Sequence, residues 1–309
     1  MPDLRALTLK QLRALASTVQ HGTVTGAAKA LCVTPPAVTT QLKLLEKSVD
    51  APIFDRSAEG FTPTELGREL LQTALNIEKL IARTRDRIEA LQSGAAGSVT
   101  FAAVSTSKYV SPSIVARFQD HHPDIRVKLV IGNRKGIITG LEHNEYDLAL
   151  MGRPPDHLPL VSEVLSDHPH ILIAPAGHRL IGRRKILAED LLKETFLARE
   201  PGSGTRLLME RFFEMIASGR TFDIVEMGTN ETIKQAVMVG LGIAFISAHT
   251  CQAELADGKL AALSVTGLPL IRQWFLTHRL DQTLTTAAEV FRAFTLAHRQ
   301  ELFPRLSLP

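Results

Sequence analysis

Between Thr64 and Gln92 the apolar residues recur at spacings that alternate four and three. Leu70, Ile77, Thr84 and Leu91 lie seven apart, and Ala74, Ile81 and Ile88 form the interleaved set. This is the a/d seam of a coiled coil. At 1.5 Å per residue such a helix is about 40 Å long. One narrow stripe cannot build a core by itself, so the helix must either lie on its own domain or pair with a second copy. We expect pairing, through Leu70, Ala74, Ile77, Ile81, Ile88 and Leu91. The small-residue run Ser93-Gly94-Ala95-Ala96-Gly97-Ser98 follows it and marks a domain boundary. The 309 residues exceed one ordinary core. They divide into residues 1–63, a linker and dimerisation helix over 64–93, and residues 94–309.

Composition excludes more than it reveals. Apolar residues make up 45% of the chain and charged ones 22%, as in globular proteins. No apolar run approaches a membrane span, and Met1-Pro2-Asp3-Leu4-Arg5 lacks the layout of a signal peptide, so a cytoplasmic protein without membrane contact is expected. Cys32 and Cys251 fit no metal spacing and are expected to be buried free thiols. Net charge is only +3, and residues 1–93 carry 12 Lys/Arg against 10 Asp/Glu. Any attraction to DNA must therefore come from placed contacts rather than bulk charge.

Such contacts are patterned near the N-terminus. Leu9, Leu12, Leu15, Ala16 and Val19 follow a Thr8 N-cap and end at Gly22. Val24–Leu31 makes a second short helix, and Cys32-Val33-Thr34 a turn. Pro35-Pro36 opens a third helix, with Val38, Leu42, Leu45 and Val49 facing inward. Small contact residues (Ala27, Ala28, Ala37) allow two helices to cross steeply. Thr34, Thr39, Thr40, Gln41 and Lys43 form an outward face able to reach base edges or phosphates. Asp50 to Pro63 has the prolines, glycine and β-formers of a small hairpin.

From Thr8 to Leu71 the chain resembles the N-terminal winged helix-turn-helix of the LysR-type transcriptional regulators. The resemblance is carried by Leu12-Arg13-Ala14-Leu15, Gly26-Ala27-Ala28-Lys29-Ala30-Leu31, Val33-Thr34-Pro35-Pro36-Ala37-Val38-Thr39-Thr40-Gln41-Leu42-Lys43-Leu44-Leu45-Glu46, Ile53-Phe54-Asp55-Arg56 and Thr62-Pro63-Thr64-Glu65-Leu66-Gly67. It implies double-stranded DNA as partner. A recognition helix would lie in the major groove, carrying Thr34, Pro35, Pro36, Thr39, Thr40, Gln41 and Lys43, and Arg56 would hold backbone phosphate from the wing. The family often has Gln at the position of Pro35, Ser at Thr39 and Leu-Gly at Asp50-Ala51. The resemblance further implies a homodimer, a homotetramer built from it, and contact with RNA polymerase in an activator. It also implies an effector domain of two Rossmann-like lobes, similar to periplasmic binding proteins: about 98–165 plus 268–309, and about 166–267, with crossovers near His168 and Ile271.

Beyond the linker, apolar strand-like runs alternate with helical patterns, as in a largely parallel α/β sheet. Ligands in such sheets sit beyond the carboxyl ends of strands. The loops there carry Thr106, Ser107 and Lys108; Asn133 and Arg134; Arg153; Glu200, Gly202, Ser203, Gly204, Thr205 and Arg206; and Thr229, Asn230 and Glu231. Cations, glycine amides and hydroxyls with few aromatics suit a small anion, a phosphate ester best. The stretches Ser105–Tyr109, Gly132–Arg134, Met151–Pro155 and Arg199–Arg206 also resemble one subgroup of the family, the regulators of Calvin-cycle (RuBisCO) operons. That similarity implies a phosphorylated metabolite or NADPH as effector and carbon-fixation genes, activated, as targets; no resident cofactor or metal is expected. The alternative is a regulator of another pathway sensing a different small anion. An enzyme is disfavoured, because no Gly-x-Ser-x-Gly elbow, His-Glu-x-x-His or phosphate-loop lysine motif is present. His168-x-His170 is expected to be a surface pair. A transport-type binding protein would need an export signal.

Overall fold

The computed structural model describes residues 4–55, 60–92, 96–183, 186–217 and 219–303. They fall into two compact units, divided within a long helix at Arg85/Asp86.

In the first unit α1 (Leu9–His21) begins at Thr8 with a capping box. The hydroxyl accepts from Gln11 N–H, and the Gln11 side chain accepts from Thr8 N–H at 2.7 Å. Gly22, in the left-handed region at φ 68°, ends the helix. Next come α2 (Val24–Ala30) and α3 (Pro35–Val49), whose two prolines occupy the first turn. Leu15, Ala27, Ala28, Val38, Leu42, Leu45 and Ile53 form the core. Asp50 closes α3 in the left-handed region at φ 54°, a conformation Asp tolerates. The expected hairpin reduces to a single antiparallel bridge, Phe54 to Pro63. Its return is tied to α4 (Glu65–Gln92), where a Cβ on Gly67 would lie 2.1 Å from the Ile53 carbonyl oxygen. Only glycine lets the helix approach so closely. Cys32 is exposed and Cys251 buried, so the expectation of two buried thiols fails for Cys32, which sits on the turn at φ 55°.

The seam on α4 divides in two. Leu70 and Ala74 are buried, Leu70 within the core of the first unit, and Ile77 is half-buried. Ile81 and Ile88 are exposed. The seam therefore serves the first unit's own core at one end and leaves Ile81 and Ile88 exposed farther along. The Leu91 side chain lies outside the described ones.

The second unit contains β1 (Gly97–Val104), α5 (Ser111–His121), β2 (Ile125–Gly132), α6 (Arg134–Glu142), β3 (Leu148–Met151) and β4 (Leu160–Pro175). These are followed by α7 (Ala188–Leu191), β5 (Thr195–Arg199), α8 (Gly204–Ala217), β6 (Asp223–Met227), α9 (Asn230–Met238) and β7 (Ala244–Ser247). The last elements are α10 (Gln252–Ala256), β8 (Leu260–Ala262), β9 (Leu270–Arg279), α11 (Thr286–Ala297) and α12 (Arg299–Leu302). The sheet order is β2-β1-β3-β9-β4-β7, with β8 on β4, and β5 pairs β6 separately. The sheet is mixed rather than largely parallel. β1, β2 and β3 run parallel, as do β5 and β6, but β9 is antiparallel to β3 and β4, and β4 is antiparallel to β7. The reason is that β4 and β9 both cross between the two halves. They stay paired from Leu160↔Arg279 to His170↔Leu270, with a register shift between Val164 and Ser166.

One core gathers Phe101, Phe118, Trp274 and Phe291, and two more lie in the other half around Phe196, Phe212 and Phe245 and around Leu197, Ile233 and Ile246. Among the described residues no helix is long and apolar enough to cross a membrane, and no cluster of three His, Cys, Asp or Glu is placed to hold a metal.

Candidate functional site: a recognition helix and an interlobe cleft

The outward face of α3 carries the predicted recognition residues. Thr34, Pro35, Pro36, Thr40 and Lys43 are exposed, and Thr39 and Gln41 partly so. Thr39 and Thr40 donate their hydroxyls to the carbonyls of Pro35 and Pro36, at 3.1 and 2.9 Å. Thr34 precedes the helix without capping it, which leaves its side chain to another partner. Arg56, predicted to hold phosphate, lies outside the described residues.

In the second unit the parallel strands deliver their carboxyl ends side by side, with Val104 level with Gly132. The loops that leave them open onto a cleft of about 840 Å³ between the lobes. Of the predicted residues, Thr106, Arg134, Arg153, Ser203, Gly204 and Thr205 line it. Gly204 starts α8, so the helix's free N–H groups and the positive end of its dipole form part of the wall. Ser203 and Thr205 are buried there, and Thr205 Oγ1 has no hydrogen-bond partner among the described residues. Arg134 donates to the Arg153 carbonyl at 2.6 Å. Burial, together with the nearby Arg153 and Arg211, lowers its guanidinium below the ordinary value. Arg153 pairs with Asp156 at 2.9 Å.

Other predicted residues are held by one another beside the cleft. Lys108 pairs with Glu231 at 2.6 Å, and the Tyr109 hydroxyl donates to the same carboxylate. Burial works to raise Glu231, but hydrogen bonds from Lys108 and Tyr109 outweigh it and take the carboxyl down to about 2. Arg199 is buried and binds Glu200 at 2.7 Å, Asn230 Oδ1 at 2.9 Å and Ser105 Oγ at 3.1 Å. Asn133 caps α6 and reaches Glu200 at 3.5 Å. Thr229 caps α9, Ser107 donates to the Val104 carbonyl, and Arg206 pairs with Glu210. Gly202 sits at φ 87°, and its carbonyl accepts from Lys135 N–H. These bonds lace the two halves together along one edge.

Several cleft residues escaped sequence reasoning: Asp167, His168, His170, Arg211, Arg272, Gln273 and Phe275. Arg211 was the most accessible of them, lying two turns after Gly204 on the same face of α8. His168 and His170 are not a surface pair, because both are buried where β4 crosses. Trp274 stacks on His168 with centroids 3.7 Å apart, and His168 Nε2 lies 2.9 Å from Ser247 Oγ. Burial drives both imidazoles toward the neutral form, His170 to about 3. The resemblance implies a crossover near His168, and period-two placement on that strand would have flagged both histidines.

Residues 9–68 match the bacterial regulatory helix-turn-helix family, lysR type, and residues 92–300 match the LysR substrate binding domain. The chain belongs to the LysR family. It is a DNA-binding transcriptional regulator with an effector-binding domain, not an enzyme. Among its relatives in this family is the HTH-type transcriptional regulator CbbR of Xanthobacter flavus, 44% identical over 97% of this chain and 90% of that one. The RuBisCO operon transcriptional regulator of Allochromatium vinosum is 37% identical over 97% of this chain and 99% of that one. The regulatory domain of Synechocystis PCC6803 CcmR, solved in complex with 2-PG, is 31% identical. It covers 66% of this chain and 97% of that one, with a TM-score of 0.62.

Proposed function

We propose that this LysR-type regulator activates carbon-fixation genes in the cytoplasm when a small phosphorylated metabolite binds the interlobe cleft. The observation that carries the reading is the cleft wall itself. An open helix N-terminus with Ser203, Gly204 and buried Thr205, whose hydroxyl has no partner among the described residues, stands beside Arg134 and Arg153, a combination that complements a phosphoryl group. The relatives that regulate RuBisCO operons, and the CcmR domain solved with 2-PG, support the same assignment.

Residues 1–63 read DNA in this account. Thr34, Pro35, Pro36, Thr39, Thr40, Gln41 and Lys43 face the major groove, and Arg56 faces phosphate. Residues 64–93 pair subunits through the exposed part of the seam at Ile81 and Ile88, with Leu91 beyond it. The dimer builds a tetramer, and residues 94–309 sense the effector. Ligand acts by favouring one arrangement of the lobes, which shifts the paired heads and their contact with RNA polymerase. It can do so only through a difference in affinity between the two arrangements.

Calorimetry on the full-length protein tests the sensor. 2-Phosphoglycolate or NADPH binds the wild type, and Arg134→Gln weakens binding at least about tenfold, the worth of a charged hydrogen bond. Undiminished binding in that variant would move the site elsewhere. Binding only by an anion without phosphate would favour a regulator of another pathway.

A further inference from the structure

The first unit holds α4 at two points along its length. At its start Thr64 N–H donates to the Ile53 carbonyl and Thr64 Oγ1 to the Pro52 carbonyl, each at 3.0 Å. The Arg68 guanidinium donates to the Pro63 carbonyl at 3.2 Å, and the close approach of Gly67 to Ile53 lies at the same end. Leu70 and Ala74 then pack inward, and one turn after Ala74 the apolar contact gives way to a charged one. Arg13 of α1 donates Nε to Glu78 Oε1 at 2.5 Å and Nη2 to Glu78 Oε2 at 3.2 Å. This is a bidentate fork, which fixes direction as well as distance. Beyond it Leu80 and Ile81 stand exposed.

Gly67 and Glu78 are about 16 Å apart along the helix, at 1.5 Å per residue. Two anchors that far apart fix the axis of a rod, whereas one leaves it free to tilt. The contacts of Leu70 and Ala74 between them are apolar and non-directional, so the tilt is set at Glu78. Packing gives Arg13 no reason to be there, because it is exposed between buried Leu12 and Ala14. Both side chains are too open to water for the pair to add much to the stability of the fold. What the fork does is hold α1 at one angle to α4. It holds α3 with it, since Leu15 of α1 and Val38 of α3 share one core.

We propose that Arg13 and Glu78 are a positioning pair for DNA recognition. They set the angle between the recognition helix and the pairing helix, and so the half-site separation at which both heads of a dimer dock at once. The inference rests on the reading of α3 as recognition helix and α4 as pairing helix. Half-sites for two linked heads lie about one helical turn or a multiple apart, and moving one by a base pair shifts it about 3.4 Å and turns it about 34°. A head held at a fixed angle to its pairing helix cannot follow that turn unless its fork breaks. Arg13 thus acts through Glu78, without touching a base.

Competition binding of the full-length protein tests it on operator duplexes with the half-sites in place or moved by one and two base pairs, and on a duplex with one half-site. Wild type is expected to lose at least about tenfold on moved half-sites, because one head lets go. Glu78→Ala and Arg13→Gln each shrink that loss at least about threefold, since neither head has a fork to break. Both leave affinity for the single half-site within about twofold of wild type, and the double exchange Arg13→Glu/Glu78→Arg restores the spacing preference. Both positions are open to water, so the variants should fold, which a thermal melt of each confirms. A wild type indifferent to spacing, or a loss undiminished in both single variants, overturns the proposal. So does Arg13→Gln weakening the single half-site as much as the full operator, which would make Arg13 a phosphate contact. If wild type is a monomer in sedimentation velocity, the pairing reading fails and this inference with it.

Discussion

The two candidate binding surfaces treat their polar groups in opposite ways. On α3 the hydroxyls of Thr39 and Thr40 are bonded to backbone carbonyls one turn back and stand near solvent. They can exchange those bonds for a base edge at small cost, because water covers any intermediate. In the cleft Thr205 Oγ1 and His168 Nδ1 are buried with no described partner. Their desolvation is already complete in the free protein, so a ligand that meets them recovers it. The reader is thus adaptable and the sensor preorganised. DNA must be scanned and released, whereas a small effector must be told from its congeners.

In the sensor, the buried polar network holds the preorganised wall. Arg199→Met should cost the effector unit about 3 kcal/mol, because the buried guanidinium holds Glu200, Asn230 and Ser105 together. Denaturant unfolding followed by tryptophan fluorescence reads it, since Trp274 is the chain's one tryptophan and lies in that unit's core. A change below about 1 kcal/mol would mean that the network is incidental.

Acid sharpens the contrast next. Burial takes His170 to about 3 and His249 to about 4, both below the ordinary value of 6.5. The unfolded chain therefore binds more protons across that interval, so stability is full above about 6.5 and falls as pH drops toward 3. His170→Asn should flatten the dependence in melts of the full-length protein between pH 7 and 4. An unchanged slope would place the acid sensitivity in other groups.

The smallest effects belong to the reader. Thr40→Ala or Gln41→Ala should each cost about 1–3 kcal/mol for a lost base contact and relax operator specificity. Competition binding against mutated operators reads this, and an equal loss on every sequence would assign those side chains to phosphate instead.

Legibility in the sequence follows the same division. The reader's helices were visible, because their signals are local: a Thr8 cap, Gly22, Pro35-Pro36 and helical spacing settle them within a few residues, whereas the expected hairpin is only the Phe54–Pro63 bridge. Of the parallel strands, β3 and the second half of β1 stood out as buried apolar runs, and β2, half exposed, through the apolar stretch Val127–Ile131. The crossing strands did not show in the residue pattern; only the family resemblance implied crossovers near His168 and Ile271. The first half of β4, Leu160–Ser166, mixes polar and apolar residues because it is half-covered, and its second half contains Pro169 between two histidines. Without the register of that crossing, the mixed sheet, the buried His168 and His170, and Arg272 could not be placed. Their positions depend on pairing with β9, over a hundred residues away. The loops converging from strand ends were legible, but which of their residues face the cleft and which bind each other was not. Lys108 and Glu231 look like two ligands in sequence and are one ion pair in the fold.

In the proposed function an anion in the cleft controls how the heads hold DNA. The most direct test is an electrophoretic and footprinting titration of the full-length protein on its own operator, with 2-phosphoglycolate added in steps. The account predicts that ligand changes operator affinity or footprint length, with a coupling of about 5- to 150-fold. Arg211→Gln should abolish that response while leaving ligand-free operator binding intact. A ligand response that persists undiminished in Arg211→Gln would contradict it.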